Sequence, residues 1–573
     1  ANIIMGVGED LNLGDSVSVT IIATGFNADQ QNDITNTEPE KIVHSLEDEE
    51  EDNLFNQKPI ENEISNVEIE EESKEKIVHV LDEESIDEKK SINDIEVIDF
   101  THVVDNKDDL YEDEEVNEIH IASIEEEENT ESIKESEKFA LLFKKEIGIK
   151  LNRPITGIST DSRECKSEDL FISVKGKKIN GDKFLPEVAK KGANAALVSK
   201  ESDRIDIQQI IVKNPKDSIA KLASAWRSQF NIPIIAITGS NGKTSTKELL
   251  VHVLSKRFNV HATKGNFNTS IGLPLTLLEL TESHDISVIE LGANQIGDIE
   301  KLCNISKPTH GLITNISPAH FEGFGSMNAI IKTKGSLFKY LKNGISFVNL
   351  TDINVASIKT LGQTVTYGLS PDCDYPADIH HEKNGNLTIT IDSKEISTSS
   401  KNLSFIKNSI PVFSVANTMG INWKDIRTQI QSFKPPSGRC QIKKFDDVTV
   451  IDDTYNANLV SCLAALDYLK AFSDNGRKIF VFGDMLELGE LSKQQHLTVG
   501  EKCKELNLDF VYTYGNETKA TSKALNNKIL HSHFDSKSNL VSKLKKDLMP
   551  GDKILFKGSR GMAMDTIISE VFI

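Results

Sequence analysis

The run Ile232-Pro-Ile-Ile-Ala-Ile-Thr-Gly-Ser-Asn-Gly-Lys-Thr-Ser-Thr-Lys-Glu-Leu-Leu250 narrows the possible folds more than any other part of this 573-residue chain. Ile232 to Ile237 has the length and branched composition of a buried parallel strand. Gly239 and Gly242 then let the backbone turn tightly with its N–H groups facing inward. Behind them Leu249, Leu250, Val253 and Leu254 recur at helical spacing. A strand, a glycine loop and a helix in that order make a phosphate nest from backbone amides and a helix N-terminus. Lys243 would reach the terminal phosphates, and Thr244 would place its hydroxyl on Mg²⁺. Ile stands at position 237, where the first glycine of the eight-residue P-loop would fall, so Thr238 to Ser245 is a tighter variant. The expected nucleotide-binding set is Gly239, Ser240, Asn241, Gly242, Lys243, Thr244 and Ser245.

The length implies three or four domains. Charge is unevenly spread: the whole chain is −23, yet residues 31 to 140 hold about 39 Asp and Glu against about 9 Lys and Arg, so the acidity belongs to one segment. With Gly and aromatics nearly absent there, residues 28 to 138 cannot bury enough surface to offset ordering entropy and are expected to be a disordered acidic linker. It contains a repeat, Glu40-Lys-Ile-Val-His-Ser-Leu and Glu75-Lys-Ile-Val-His-Val-Leu, read as a duplicated spacer or a linear docking motif. His44 and His79 are too isolated to be metal ligands. No apolar run approaches a membrane span, no signal peptide opens the chain, and nothing points to nucleic acid. Six cysteines without paired spacing, Cys165, Cys303, Cys373, Cys440, Cys462 and Cys503, read as buried thiols of a cytoplasmic, monomeric protein.

Residues 1 to 27 read as a β-hairpin with its turn through Glu9 to Asp15. The stretches Ala1-Asn-Ile-Ile-Met-Gly-Val-Gly-Glu-Asp10 and Val19-Thr-Ile-Ile-Ala-Thr-Gly-Phe26 resemble the last hairpin of the C-terminal subdomain of FtsZ, the tubulin-like division GTPase. Nothing matches that family's GTP-binding domain, and a start at Ala suggests a piece cut from something larger.

Order is expected to resume near Phe139. A small α/β domain over 139–230 carries Ile158-Ser-Thr-Asp-Ser-Arg163, and a helix over 218–230 leads into the nucleotide strand. Farther on, polar residues fall at the ends of predicted strands, where open α/β sheets place their ligands. These are the loop Lys264 to Pro274 with Asn268 and Thr269, then Glu290, then Asn315 to His320. A carboxylate at position 290 suits magnesium. Singly, Glu290 also fits a capping acid and His320 a satisfied imidazole; their order after a phosphate loop favours a shared site.

These stretches, with Pro436-Ser-Gly-Arg439, Ile451-Asp-Asp-Thr-Tyr-Asn-Ala-Asn458, Gly483-Asp-Met-Leu-Glu-Leu-Gly489 and Lys557-Gly-Ser-Arg560, resemble the Mur ligases of peptidoglycan synthesis over residues 140 to 573. The resemblance is to the branch that joins D-alanyl-D-alanine to UDP-N-acetylmuramoyl-tripeptide. It implies a three-domain α/β fold: a UDP-sugar domain over 139–230, a central P-loop ATPase-like domain over 231–419 and a Rossmann-like ligase domain over 420–573. It also implies ATP-driven amide formation through an acyl phosphate, with Lys243 and Arg439 stabilising the moving phosphoryl charge.

By match to the family's motifs, the implied metal ligands are Thr244, Glu290, His320 and Lys334, the lysine carrying a carbamate from CO₂. Asn315, Asn408 and Asp453 would contact nucleotide or organise its site. Ser159, Thr160, Asp161, Ser162 and Arg163 would line the sugar pocket, and Asn268, Thr269, Asn456, Asn458, Lys557, Ser559 and Arg560 the remaining substrate positions. Two departures stand out. Of the family's His-Asn-x-x-Asn only Asn408 is kept, and Leu459 replaces a proline, which is expected to alter a turn. The competing readings are a folylpolyglutamate synthase, a division-ring tether with an idle ligase domain, and an artificial joining of two sequences.

Overall fold

The computed structural model describes residues 2–6, 20–24, 135–176, 179–203, 205–318, 321–472 and 475–572. Strands Asn2–Gly6 and Thr20–Thr24 pair antiparallel, Asn2 opposite Thr24 and Gly6 opposite Thr20. The turn expected between them, the acidic stretch through residue 134, its repeat, His44 and His79 lie outside the described residues.

The remaining chain begins with a helix over 135–147, a few residues before the expected start. Its Phe139, Leu142 and Phe143 are buried, and Phe139 meets Trp226 edge-on with ring centroids 5.8 Å apart. Trp226 lies on Pro215–Arg227, a helix that starts three residues before the predicted one because Asn214 caps it and Pro215 takes its first turn. The Trp226 indole N–H donates to the Leu280 carbonyl at 3.0 Å, and Leu222 and Trp226 share one apolar cluster with Leu273 and Leu277. The first and second domains are thus packed through a common core. Phe143 is fully buried in that cluster. Phe143→Ala should destabilise the protein by about 3–5 kcal/mol, the usual cost of emptying a buried aromatic site. A urea titration giving a loss under about 1 kcal/mol would show that this helix packs only loosely.

The first domain's sheet is parallel throughout, in the order Gly157–Ser159, Asp169–Ile172, Ala195–Val198, Gln208–Ile211. The central sheet has nine strands. Its parallel part runs Val260–Ala262, Ile286–Glu290, Ile234–Thr238, His310–Ile313, Ile345–Asn349, Gln363–Gly368, Tyr375–His381, and an antiparallel edge of Leu387–Ile391 and Lys394–Ser397 completes it. Every residue of Ile234–Thr238 is buried, as its branched run demands. The chain leaves this strand toward one side and returns on the other, so a crevice opens between the ends of Ile234–Thr238 and His310–Ile313.

Past the boundary expected at residue 420, one more helix packs on the central sheet before the third sheet begins. Helix Trp423–Ser432 buries Ile426 and Ile430 in the same cluster as Leu249, Val253 and Ile406. Its apolar stripe faces that surface, and the third sheet begins only with Gln441–Phe445. That sheet runs Gln441–Phe445, Val448–Asp453, Lys553–Lys557, Lys478–Gly483, Phe510–Tyr514, Leu530–Phe534, parallel except for its first strand. All six cysteines are free thiols, five of them buried and Cys440 half-buried. Among the described residues no helix is long and apolar enough to cross a membrane.

Candidate active site

The glycine loop follows Ile234–Thr238 directly, and Lys243 is the first residue of helix Lys243–Leu254. Gly239 has φ +149°, and a Cβ there would lie 2.0 Å from Thr314 Oγ1, so only glycine lets the two strand ends approach this closely. Asn315 braces the loop: its Oδ1 accepts from the Asn241 amide at 3.0 Å and its Nδ2 donates to the Asn241 carbonyl at 2.9 Å. Ser240 is tied to Ser317, donating to its carbonyl at 2.8 Å. Asn408, on helix Leu403–Thr418, stands beside Gly242.

Lys243 is half-buried. Its ammonium turns inward to donate to the Gly239 carbonyl at 2.9 Å, and burial lowers its pKa, helped by Arg439 and opposed by Glu290. Lys334, buried on helix Met327–Tyr340, donates to the same carbonyl at 2.9 Å. Burial, and then the charge of Lys243, pull its pKa well below the ordinary lysine value.

Glu290 ends its strand in a buried position, 2 % exposed. One oxygen accepts from the Thr244 hydroxyl at 2.9 Å and the other from the Asn268 amide at 2.7 Å, while its backbone N–H donates to Thr263 Oγ1. Thr269 lines the same cleft, as does Ser245. The cleft measures about 970 Å³ and runs from the loop to the third domain.

That domain closes on the loop through two direct contacts. Arg439 Nη2 donates to Thr244 Oγ1 at 3.1 Å, and Asn458 Nδ2 donates to Asn241 Oδ1 at 2.6 Å. Behind them Lys557 and Asp453, opposite each other in the sheet register, form a buried ion pair at 2.5 Å, and Lys557 also donates to the Asn456 carbonyl. Burial opposes the charge on Lys557, but Asp453, with Cys462 and Cys440 near by, outweighs it and holds the lysine pKa above normal. Asp453 also accepts from the Cys440 amide at 3.2 Å, so its visible work is bracing.

Other expected site residues lie elsewhere. Ser159 ends the first strand of the first sheet and Thr160 to Arg163 follow it, at its carboxyl edge, and none of them lines this cleft. There Arg163 pairs with Asp161 at 2.5 Å, and that hydrogen bond lowers the Asp161 pKa to about 2. Ser162 is buried, donating to Glu187. Ser559 is buried too, and its hydroxyl accepts from the Leu486 amide at 2.8 Å, which makes it a brace for the Gly483 to Gly489 turn instead of a cleft residue. Arg560 does line the cleft, held by Asp565 at 2.9 Å. His320 lies outside the described residues.

Three family models match in order along the chain: "Mur ligase family, catalytic domain" over residues 154–227, "Mur ligase middle domain" over 237–420, and "Mur ligase, glutamate ligase domain" over 438–560. The UDP-N-acetylmuramoyl-tripeptide–D-alanyl-D-alanine ligase of Haemophilus influenzae is 35% identical over 435 residues, covering 73% of this chain and 93% of that one. The chain belongs to the Mur ligase family. The Escherichia coli enzyme of the same name is 34% identical, with 72% and 93% covered. Among solved structures, MurF from Acinetobacter baumannii superposes with a TM-score of 0.69 at 28% identity, over 76% of this chain and 98% of that one. MurF from Thermotoga maritima in complex with ADP gives 0.63 at 29% identity, over 72% and 96%.

In this Mur ligase the replacement of proline by Leu459 alters no turn. Position 459 is the first residue of helix Leu459–Lys470, capped by Asn458, where either residue fits because the N–H has no helical partner. Several cleft features escaped the sequence reading. Lys247, almost fully buried, donates to the Thr263 carbonyl and so ties the helix after the loop to the segment that holds Glu290. Phe405 and Phe433 stack with ring planes 2° apart on the cleft wall where the family's His-Asn pattern is lost. The Lys247 position, one turn after Lys243, was a usable signal; the ring pair, 28 residues apart in sequence, was not.

Proposed function

We infer that this chain joins D-alanyl-D-alanine to UDP-N-acetylmuramoyl-tripeptide at the expense of ATP, in peptidoglycan precursor synthesis. What carries the reading is the closure of the third domain onto the phosphate loop through Arg439 and Asn458, in a chain matched over almost the whole length of ligases so named. The reaction is transfer of the terminal phosphoryl group to the tripeptide carboxylate, then displacement of phosphate by the dipeptide amine. Gly239 to Ser245 hold the phosphates by backbone amides and the helix N-terminus. Lys243, from the helix that follows the loop, and Arg439, from the third domain, offset the charge that spreads over the phosphoryl oxygens. Asn268, Thr269, Asn456, Asn458, Lys557 and Arg560 are read as substrate-facing, and Ser159 to Arg163 as the sugar end on the first domain. Asn408 and Phe405 are read as flanking the nucleotide beyond the loop.

The residues present fit magnesium. Thr244 and the buried Glu290 place a hydroxyl and a carboxylate oxygen 2.9 Å apart, the hard oxygen donors that magnesium prefers. Bound there, the ion would neutralise phosphate charge. Lys334 is read as the carbamate-bearing lysine, supported by its burial beside the loop, where it reaches the Gly239 carbonyl, and by a pKa that burial and then the charge of Lys243 lower, the direction that favours the free amine CO₂ needs. His320 keeps the metal role that the family motif implies. The site serves a cytoplasmic enzyme. Residues 1–27 are read, on their sequence resemblance alone, as the FtsZ-like hairpin with a division-ring protein as its partner; the antiparallel pairing of Asn2–Gly6 with Thr20–Thr24 supports a hairpin and no particular family, and failure of the full chain to co-sediment with polymerised FtsZ would remove the reading.

ADP release with UDP-N-acetylmuramoyl-tripeptide, with and without D-alanyl-D-alanine, tests the function. Turnover should depend on both substrates. Turnover with a folyl acceptor instead, or none with either, would overturn it.

A further inference from the structure

Arg439 is half-buried and held against an aromatic face. Its guanidinium carbon lies 4.0 Å from the centroid of the Tyr455 ring, its Nη2 reaches Thr244, and its Nε is buried with no hydrogen-bond partner among the described residues. The backbone that carries it rests on the same tyrosine. The Tyr455 amide donates to the Gly438 carbonyl at 3.1 Å, and a Cβ on Gly438, which has φ +71°, would come within 3.2 Å of Tyr455 Cβ. Cys440 on the other side also has positive φ, +54°, and its amide is fixed by Asp453 at 3.2 Å. The arginine is therefore presented by a sharply turned segment seated on the end of strand Val448–Asp453 and on Tyr455.

We propose that Tyr455 is the positioning residue for Arg439, orienting the guanidinium by its ring face so that its terminal Nη groups stay directed at the phosphate loop. The choice of an aromatic face has a chemical consequence. A carboxylate partner would fix an arginine more strongly, but it would neutralise the charge and occupy the same N–H groups that a phosphoryl oxygen needs. The ring quadrupole attracts the cation from the side and leaves the in-plane donors open. Arg439 then bridges from the third domain to Thr244, whose hydroxyl in turn donates to Glu290, so the tyrosine governs where the closing domain sets its charge. The proposal rests on the reading of Arg439 given above.

The test is a double-mutant cycle on the full chain, measuring kcat and the KM for ATP separately. Tyr455→Leu should lower kcat roughly three- to thirtyfold, the range expected from a cation–π contact, with the KM for ATP moved less. Tyr455→Phe keeps the ring and should recover most of that loss. In an Arg439→Ala background, Tyr455→Leu should cost almost nothing further. Tyr455→Met, which keeps the bulk and lacks the ring, is read in the same way if the leucine variant does not fold. An equal loss from Tyr455→Leu or Tyr455→Met with and without Arg439 would overturn the proposal, as would Tyr455→Phe falling as far as Tyr455→Leu. Full activity of Arg439→Ala would instead overturn the role of Arg439 itself, and the two failures are thereby told apart.

Discussion

Lys243→Ala is expected to lower ligation by a hundred- to a thousandfold or more, on the order of what the loss of one preorganised donor to a developing charge costs. The ammonium sits at the start of helix Lys243–Leu254, pointing back at the Gly239 and Ser240 carbonyls, where a terminal phosphate would draw it away. The fold should survive, because Lys334 still donates to the Gly239 carbonyl and Asn315 still braces Asn241. An unchanged melting temperature with lost turnover is the expected pair of results. Near-normal turnover would sink the assignment of this loop to ATP. The same substitution should also raise the pKa of Lys334, since the charge of Lys243 is one of the two causes that lower it.

Lys334→Ala should remove most activity, while Lys332→Ala should remove little. The two lysines are two residues apart on helix Met327–Tyr340 and so face different ways: Lys332 is exposed and Lys334 is buried beneath the loop. Loss of activity alone could come from the lost hydrogen bond to Gly239, so the decisive measurement is rescue. If Lys334 works as a carbamate, truncation leaves both a missing pair of oxygens and the space to hold them. Formate or acetate should then restore part of the rate in Lys334→Ala. Lys334→Met fills that space, so it should lose activity and resist rescue. Equal behaviour of the alanine and methionine variants, with no rescue of either, would leave Lys334 a structural donor to the loop and nothing more.

The phosphate loop was legible from residues 232 to 250 because every part of it is local. A branched apolar run becomes a strand, glycines permit the turn, and helical spacing follows at once, so contiguity in sequence ensures contiguity in space. Glu290 and Asn315 were legible for a related reason: Glu290 ends one parallel strand and Asn315 lies two residues past the end of another, and such ends converge on one edge. What the chain order could not tell is how side chains from distant elements meet. Lys334 reaches Gly239 across 95 positions and Arg439 reaches Thr244 across 195, and both distances depend on packing of whole elements. The same holds for helix Trp423–Ser432, whose stripe shows that it must be buried but not against which sheet. Ser559 shares its stretch with Lys557 and Arg560, yet it faces the Leu486 amide while they line the cleft. Residue types and spacing determine which elements form and which face each one hides; the partner that covers the face, and so the direction in which a lysine or an arginine finally points, is decided only when the three sheets close on one another.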